Sequence, residues 1–228
     1  GGGGRGGGSG DGREGERHAP SPPSSERSRS ASDLAEASWP SLAPLAAWKD
    51  PSRFILGHPF NPPHLIPLVE LLGNEKTSDG VLEFAAAFYE RCGKETIFVR
   101  KEVPAHVANR LQAAVWREAI HLVAEGVASV GDVDKAMRAG PGLRWSVMGP
   151  HMLFSLGSGG LGLDGFCARY GDSFHTWWDS LGSPRLTPEI AAMLADGVAD
   201  EESGRSFEEL VEERDRKLIA AITAMKDI

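Results

Sequence analysis

Residues 57–70 read GHPFNPPHLIPLVE, and the order of those residues decides how the rest of the chain is read. An apolar run, RFILGH over 53–58, leads into Asn-Pro-Pro and resumes as LIPLVELL over 65–72. Proline fixes φ, removes a backbone donor and pushes the residue before it toward extended geometry. The pattern disfavours a helix and predicts two strands joined by a rigid turn. His58 then falls at the end of the first strand, where open α/β sheets present functional groups.

Toward the C-terminus, Thr77 is placed to cap a helix whose apolar residues Val81, Leu82, Ala85, Phe88, Tyr89 and Cys92 recur at helical spacing. Gly93 is a natural stop for that helix. ETIFVRKEV, residues 95–103, is β-branched and alternating, which predicts a strand. After Pro104 no strand pattern returns. Residues 106–126, HVANRLQAAVWREAIHLVAEG, form one long helical pattern. Ser129 and Asp132 have capping-box spacing before a helix that Gly140 and Pro141 end, and Thr187-Pro188 opens another. Ser206 and Glu209 cap the last helix, with Leu210, Val211, Leu218, Ile222 and Met225 available for its buried side. The expected architecture is an α/β fragment over 50–103 followed by an all-α domain over 104–228.

Toward the N-terminus, residues 34–50 are short apolar clusters broken by Pro40 and Pro44. Gly1 to Asp33 contains no Val, Ile, Leu, Met, Phe, Trp or Tyr. Such a stretch cannot bury enough apolar surface to offset its ordering entropy, so residues 1–49 are expected to be a disordered low-complexity segment. The formal net charge of −8 argues against a nucleic-acid partner. Two cysteines are too few for a disulfide framework, and no Cys/His spacing points to zinc. No apolar run is long enough to span a bilayer, and the polar start has no signal-peptide core. The expectation is a cytoplasmic protein with no membrane partner.

Taken alone, His58 and Glu70 suit proton abstraction. Oxidising a secondary alcohol requires the hydroxyl proton to leave, and histidine has a suitable pKa for accepting it. A carboxylate on the second ring nitrogen would fix the tautomer and stabilise the imidazolium. The residues leave a second reading open, in which a strand-end histidine bonds backbone and Glu70 is merely solvated.

The combination of His-Pro-Phe-Asn-Pro-Pro, Pro-Leu-Val-Glu, a helix, a strand and Ala-Asn-Arg-Leu opening a long helix resembles the 3-hydroxyacyl-CoA dehydrogenase family. AEGVASVGDVDKAMRAGPGLRWSVMGP, with its Met148–Pro150 turn, is similar to that family's helical domain. The resemblance covers about residues 50 to 225. It implies the end of a Rossmann-type NAD-binding domain followed by a helical domain like the C-terminal domain of 6-phosphogluconate dehydrogenase. It also implies NAD-dependent oxidation of a 3-hydroxy acid or 3-hydroxyacyl-CoA, and a homodimer formed through the helical domain. By the same resemblance His58 matches the base, Glu70 the carboxylate that orients it, and Asn109 the asparagine that bonds the substrate's reacting oxygen or its neighbour. Asn109 as a plain helix-start residue is the competing reading.

The resemblance departs in one large respect. The family opens with a strand and a Gly-x-Gly-x-x-Gly turn, whereas the glycines of GGGGRGGGSGDG follow no strand and precede no apolar helix. Most of the NAD-binding domain is therefore expected to be missing, leaving residues 50–103 as its remnant, and the family's catalytic serine has no matching position. A non-catalytic helical association protein derived from the family is accordingly the alternative. A dehydrogenase of the lysine-base type fits less well, since it has no place for the histidine or the Asn-Pro-Pro turn.

Weaker features complete the reading. GSGGLGLDG, residues 157–165, lacks the Lys-Ser/Thr of a phosphate-binding loop. Trp177 and Trp178 could line a quaternary-ammonium cage, but packing accounts for them more simply. Cys92 is read as an inert thiol on an apolar helix face. His106, His121, His151 and His175 show no ligand spacing and are read as structural or exposed.

Overall fold

The computed structural model describes residues 48–226, and the segment expected to be disordered lies almost entirely outside them. The elements are β1 (Ile55–Pro59), β2 (Leu68–Gly73), α1 (Val81–Arg91), β3 (Glu95–Val99), α2 (Ala108–Ala124), α3 (Val130–Ala139), α4 (Pro141–Val147), α5 (Pro150–Leu156), α6 (Gly162–Ser180), α7 (Pro188–Glu202) and α8 (Phe207–Lys226). A three-stranded sheet thus precedes a run of helices, as the sequence implies.

Strand β2 is central. It pairs antiparallel with β1 and parallel with β3, and α1 makes the crossover that a parallel pair requires. Its residues Val69, Glu70, Leu71 and Leu72 are all buried, so both faces of the strand are covered. Alternation along the strand separates the two faces. Val69 and Leu71 form a core with Ala86 of α1, joined by Ile55, Leu82, Ala85 and Tyr89. Glu70 lies on the other face and meets the start of α2.

The turn between β1 and β2 is built by its prolines and held from outside. The Asn61–Pro62 peptide is cis, and Leu65 N and Ile66 N both donate to the Pro62 carbonyl. Lys94, just before β3, donates its Nζ to the carbonyls of Pro63 and Ile66. These hydrogen bonds brace the turn between the two strands.

Several local expectations hold and others shift. Ser129 accepts from Asp132 N, Thr187 accepts from Ile190 N, and Ser206 and Glu209 cap each other reciprocally. Thr77 does not cap α1. The chain enters that helix through Gly80 in the left-handed region, while Thr77 Oγ1 accepts from Asn74 N. The strand expected over 95–103 ends at Val99. Cys92 is the exposed C-cap residue of α1 rather than part of its apolar face.

Helices α4, α5 and α6 fill a region where the sequence announces no helix start. Pro141 and Pro150 occupy first-turn positions of α4 and α5, where a missing N–H costs nothing. Between α5 and α6, Gly159, Gly160 and Gly162 adopt positive φ, which accounts for that glycine-rich stretch as a turn. Packing in the helical part runs from α3 to α4 and α7, from α2 to α7, and from α5 to α6.

Candidate active site

The register of the first hairpin places His58 directly across from Glu70. Residues opposite each other in an antiparallel pair project from the same face, so the two side chains meet. His58 Nδ1 lies 2.9 Å from Glu70 Oε2. The other carboxylate oxygen, Oε1, accepts from Val107 N at 2.9 Å and Ala108 N at 3.0 Å. Those N–H groups belong to the N-cap and first residue of α2, a helix with no capping side chain of its own. Glu70, in the middle of a strand, is its cap.

Glu70 is 0% exposed. Burial is the largest single influence on its carboxyl and pushes the pKa up. The bonds from His58, Ala108 and Val107, with the charge on His58, together outweigh burial and hold it below the usual value. An ionised carboxylate only accepts, so the shared proton sits on His58 Nδ1. That fixes the tautomer and leaves Nε2 with its lone pair on a side chain that is 22% exposed. A helix N-terminus also favours the negative charge it faces. The arrangement thus has a buried countercharge, an oriented imidazole and one free basic nitrogen.

Asn109 lies in the first turn of α2, one residue beyond Ala108, with a half-buried side chain that makes no hydrogen bond among the described residues. Its capping role is unfilled, because Glu70 caps the helix instead. Asn61 sits in the cis peptide of the turn.

His106 was expected to be structural or exposed, and it proves to be 0% exposed against the dyad. Its ring centroid lies 5.0 Å from that of His58, with planes tilted by 51°. Burial, followed by the charge on His58, lowers its pKa, while Glu70 and Glu102 oppose that. The backbone here is unusual: Ala105 (φ 65) and His106 (φ 47) are consecutive non-glycine residues in the left-handed region. Each such residue costs about 1–3 kcal/mol, and strain of this kind collects at functional sites. No sequence signal marks it beyond Pro104, after which the strand pattern does not return.

Two family profiles match this chain. Residues 38–103 match "3-hydroxyacyl-CoA dehydrogenase, NAD binding domain", and residues 106–185 match "3-hydroxyacyl-CoA dehydrogenase, C-terminal domain". The chain belongs to the 3-hydroxyacyl-CoA dehydrogenase family. It is 46% identical over 175 residues to an L-carnitine dehydrogenase of Streptomyces coelicolor, covering 77% of this chain and 55% of that protein. It is 41% identical over 180 residues to an L-carnitine dehydrogenase of Nocardiopsis dassonvillei, covering 79% and 55%. Among solved structures it is similar to FHMPC 5-dehydrogenase, described as an NAD+-dependent dismutase. The TM-score is 0.64 at 28% identity, covering 79% of this chain and 59% of that one. The chain therefore spans about half the length of the curated relatives it matches.

The described residues do not fit the pyrophosphate of NAD. The N-terminus of α1 carries Asp79 and Glu83, and that of α2 is already occupied by Glu70. Neither follows the glycine-rich strand–turn–helix that a dinucleotide needs. Among the described residues, no group of three or more His, Cys, Asp or Glu could hold a metal ion.

Proposed function

We propose that this protein is an NAD-dependent oxidoreductase acting on the hydroxyl of a 3-hydroxy acid, with His58 as its base. The observation that carries the reading is the threefold bonding of buried Glu70, which orients His58 and leaves Nε2 free. In this mechanism Nε2 accepts the substrate's hydroxyl proton as its carbon is oxidised. Glu70 stabilises the imidazolium that results, as in other carboxylate–histidine pairs. Because two backbone N–H groups also bind Glu70, the proton stays on the imidazole rather than moving to the carboxylate. Asn109 is assigned to the substrate's reacting oxygen, which its free amide and place beside the dyad support.

The assignment of NAD rests on the family's NAD-binding profile over residues 38–103. Similarity to proteins named L-carnitine dehydrogenase points the assignment toward L-carnitine, a free 3-hydroxy acid bearing a quaternary ammonium, rather than toward an acyl-CoA thioester. The helical part is assigned to a homodimer, since Trp177, Trp178, Leu143, Val147, Met152 and Leu156 all expose apolar surface. The two exposed free thiols, Cys92 and Cys167, suit a reducing cytoplasm. No described helix is long and apolar enough to cross a membrane.

The test is NADH formation from L-carnitine, 3-hydroxybutyrate and 3-hydroxybutyryl-CoA. It compares the chain as given with a version extended upstream by a relative's nucleotide-binding region. The extended form should turn over L-carnitine, and His58→Gln should lower its rate roughly 10²–10⁴-fold. Full activity of that variant would remove His58 from the mechanism.

A further inference from the structure

We propose that His106 is a positioning residue for His58, a buried wall whose ring, tilted by 51° to the imidazole, keeps it in the orientation where Nδ1 meets Glu70 and Nε2 faces substrate. The inference rests on the reading of His58 as base and extends it to a residue that neither the family match nor the sequence motifs assign a role.

Three independent observations converge on His106. Its ring is fully buried, and its centroid lies 5.0 Å from that of His58. It stands in the second of two consecutive left-handed residues, a backbone that L-amino acids adopt rarely. The segment is also pinned on both sides: His106 N donates to the Val103 carbonyl, and Arg110 Nη1 donates to the Pro104 carbonyl. The next two residues, Val107 and Ala108, are the ones whose N–H groups bind Glu70. A single kink therefore turns the His106 ring toward His58 and aims two donors at the carboxylate.

A hydrogen bond to Glu70 fixes one atom of the His58 ring but leaves rotation about the bond direction. Terminal sp³–sp² torsions such as histidine χ2 are broad, so a second contact is needed to define the plane. The side chain of His58 is partly open to solvent, and the His106 ring supplies that contact from the buried side. Burial lowers the pKa of His106, which keeps this wall neutral and prevents it from competing for Glu70 as a cation. Among the described residues, Glu70 and Glu102 are acids that act on it, and His58 is a base that does.

The experiment uses the chain as it stands, labelled with ¹⁵N, and long-range proton–nitrogen spectra of its imidazoles at pH 8. Signals of His58 are assigned by their loss in His58→Gln. In the parent chain His58 should show one tautomer, protonated at Nδ1. His106→Phe keeps a flat ring and should preserve that single tautomer. His106→Ala should give averaged nitrogen shifts that report a mixture of both tautomers. If circular dichroism shows that the alanine variant does not fold, His106→Leu, which keeps bulk without a flat face, takes its place with the same expectation. An unchanged single tautomer in the folded alanine or leucine variant overturns the proposal, and so does a mixture in His106→Phe. The readout involves no turnover, so failure of His58 as the base would appear separately, as undiminished NADH formation by His58→Gln in the extended protein.

Discussion

Glu70 serves two partners with opposite geometric demands, and substituting it separates them. A glutamine there has one carbonyl oxygen, which can accept from Val107 N and Ala108 N, and one NH₂ group, which would face the proton on His58 Nδ1. Two donors cannot bond, so His58 is driven to its other tautomer and Nε2 is no longer basic. Glu70→Gln should therefore lower NADH formation by the extended protein about 10²–10⁴-fold, with the far-ultraviolet spectrum unchanged. The same residues set the acid stability of the chain. His106 has a depressed folded pKa, so the unfolded chain binds its proton first and stability falls as pH drops through the ordinary value of 6.5. Glu70 is depressed too, so its stabilisation is complete above its ordinary value of 4.5 and is lost as pH falls through its folded pKa. Melting temperature against pH should decline in two stages, and His106→Phe should abolish the first.

At the scale of elements, the chain is legible where its signals are local. Ser129, Thr187 and Ser206 each start a helix because a short side chain bonds an N–H three residues ahead, and that chemistry is visible in the sequence. The hairpin is legible for the same reason, since prolines 62 and 63 enforce a turn, but the residues alone left Glu70 either beside His58 or solvated, and only the strand register sets the two opposite each other. Helices α4 to α6 were not, because Gly140-Pro141 reads as a stop and in fact ends one helix while opening the next. The role of Thr77 was misread because Gly80 already supplies the turn into α1. His106 was hidden because its burial comes from a backbone kink, not from any spacing. One close approach was equally invisible. Gly182 donates its N–H to Glu118 Oε2 at 2.8 Å, and a Cβ built on it would lie 2.0 Å from the His121 ring. Gly182→Ala should destabilise the chain by about 1–3 kcal/mol in a urea titration, by forcing the linker after α6 off α2. Thr187→Ala, which only removes a cap, should cost about 0.5–2 kcal/mol.

Across the described molecule, apolar surface is distributed unevenly. The sheet and α1 enclose a core, whereas among the helices only Ile120 and Val123 of α2 are buried apolar residues. Trp177 and Trp178 are 56% and 59% exposed, although they join a run of ring contacts through Phe174 to Phe154 and Phe166 of α5 and α6. A helical array left so open is completed by a second copy in the proposed dimer. Light scattering at micromolar concentration should give twice the chain mass, and Trp177→Glu with Trp178→Glu should return it to that of one chain. Glu70 also joins the strands to the helices, because its carboxylate holds the amides of the N-cap and first residue of α2 while its backbone lies in β2. Those amides cannot exchange with solvent deuterium until strand and helix part. Val107 and Ala108 should consequently exchange at the slow rate of the sheet amides rather than at the fast rate of a frayed helix end, and Glu70→Ala should accelerate both while leaving the amides of α8 unaffected.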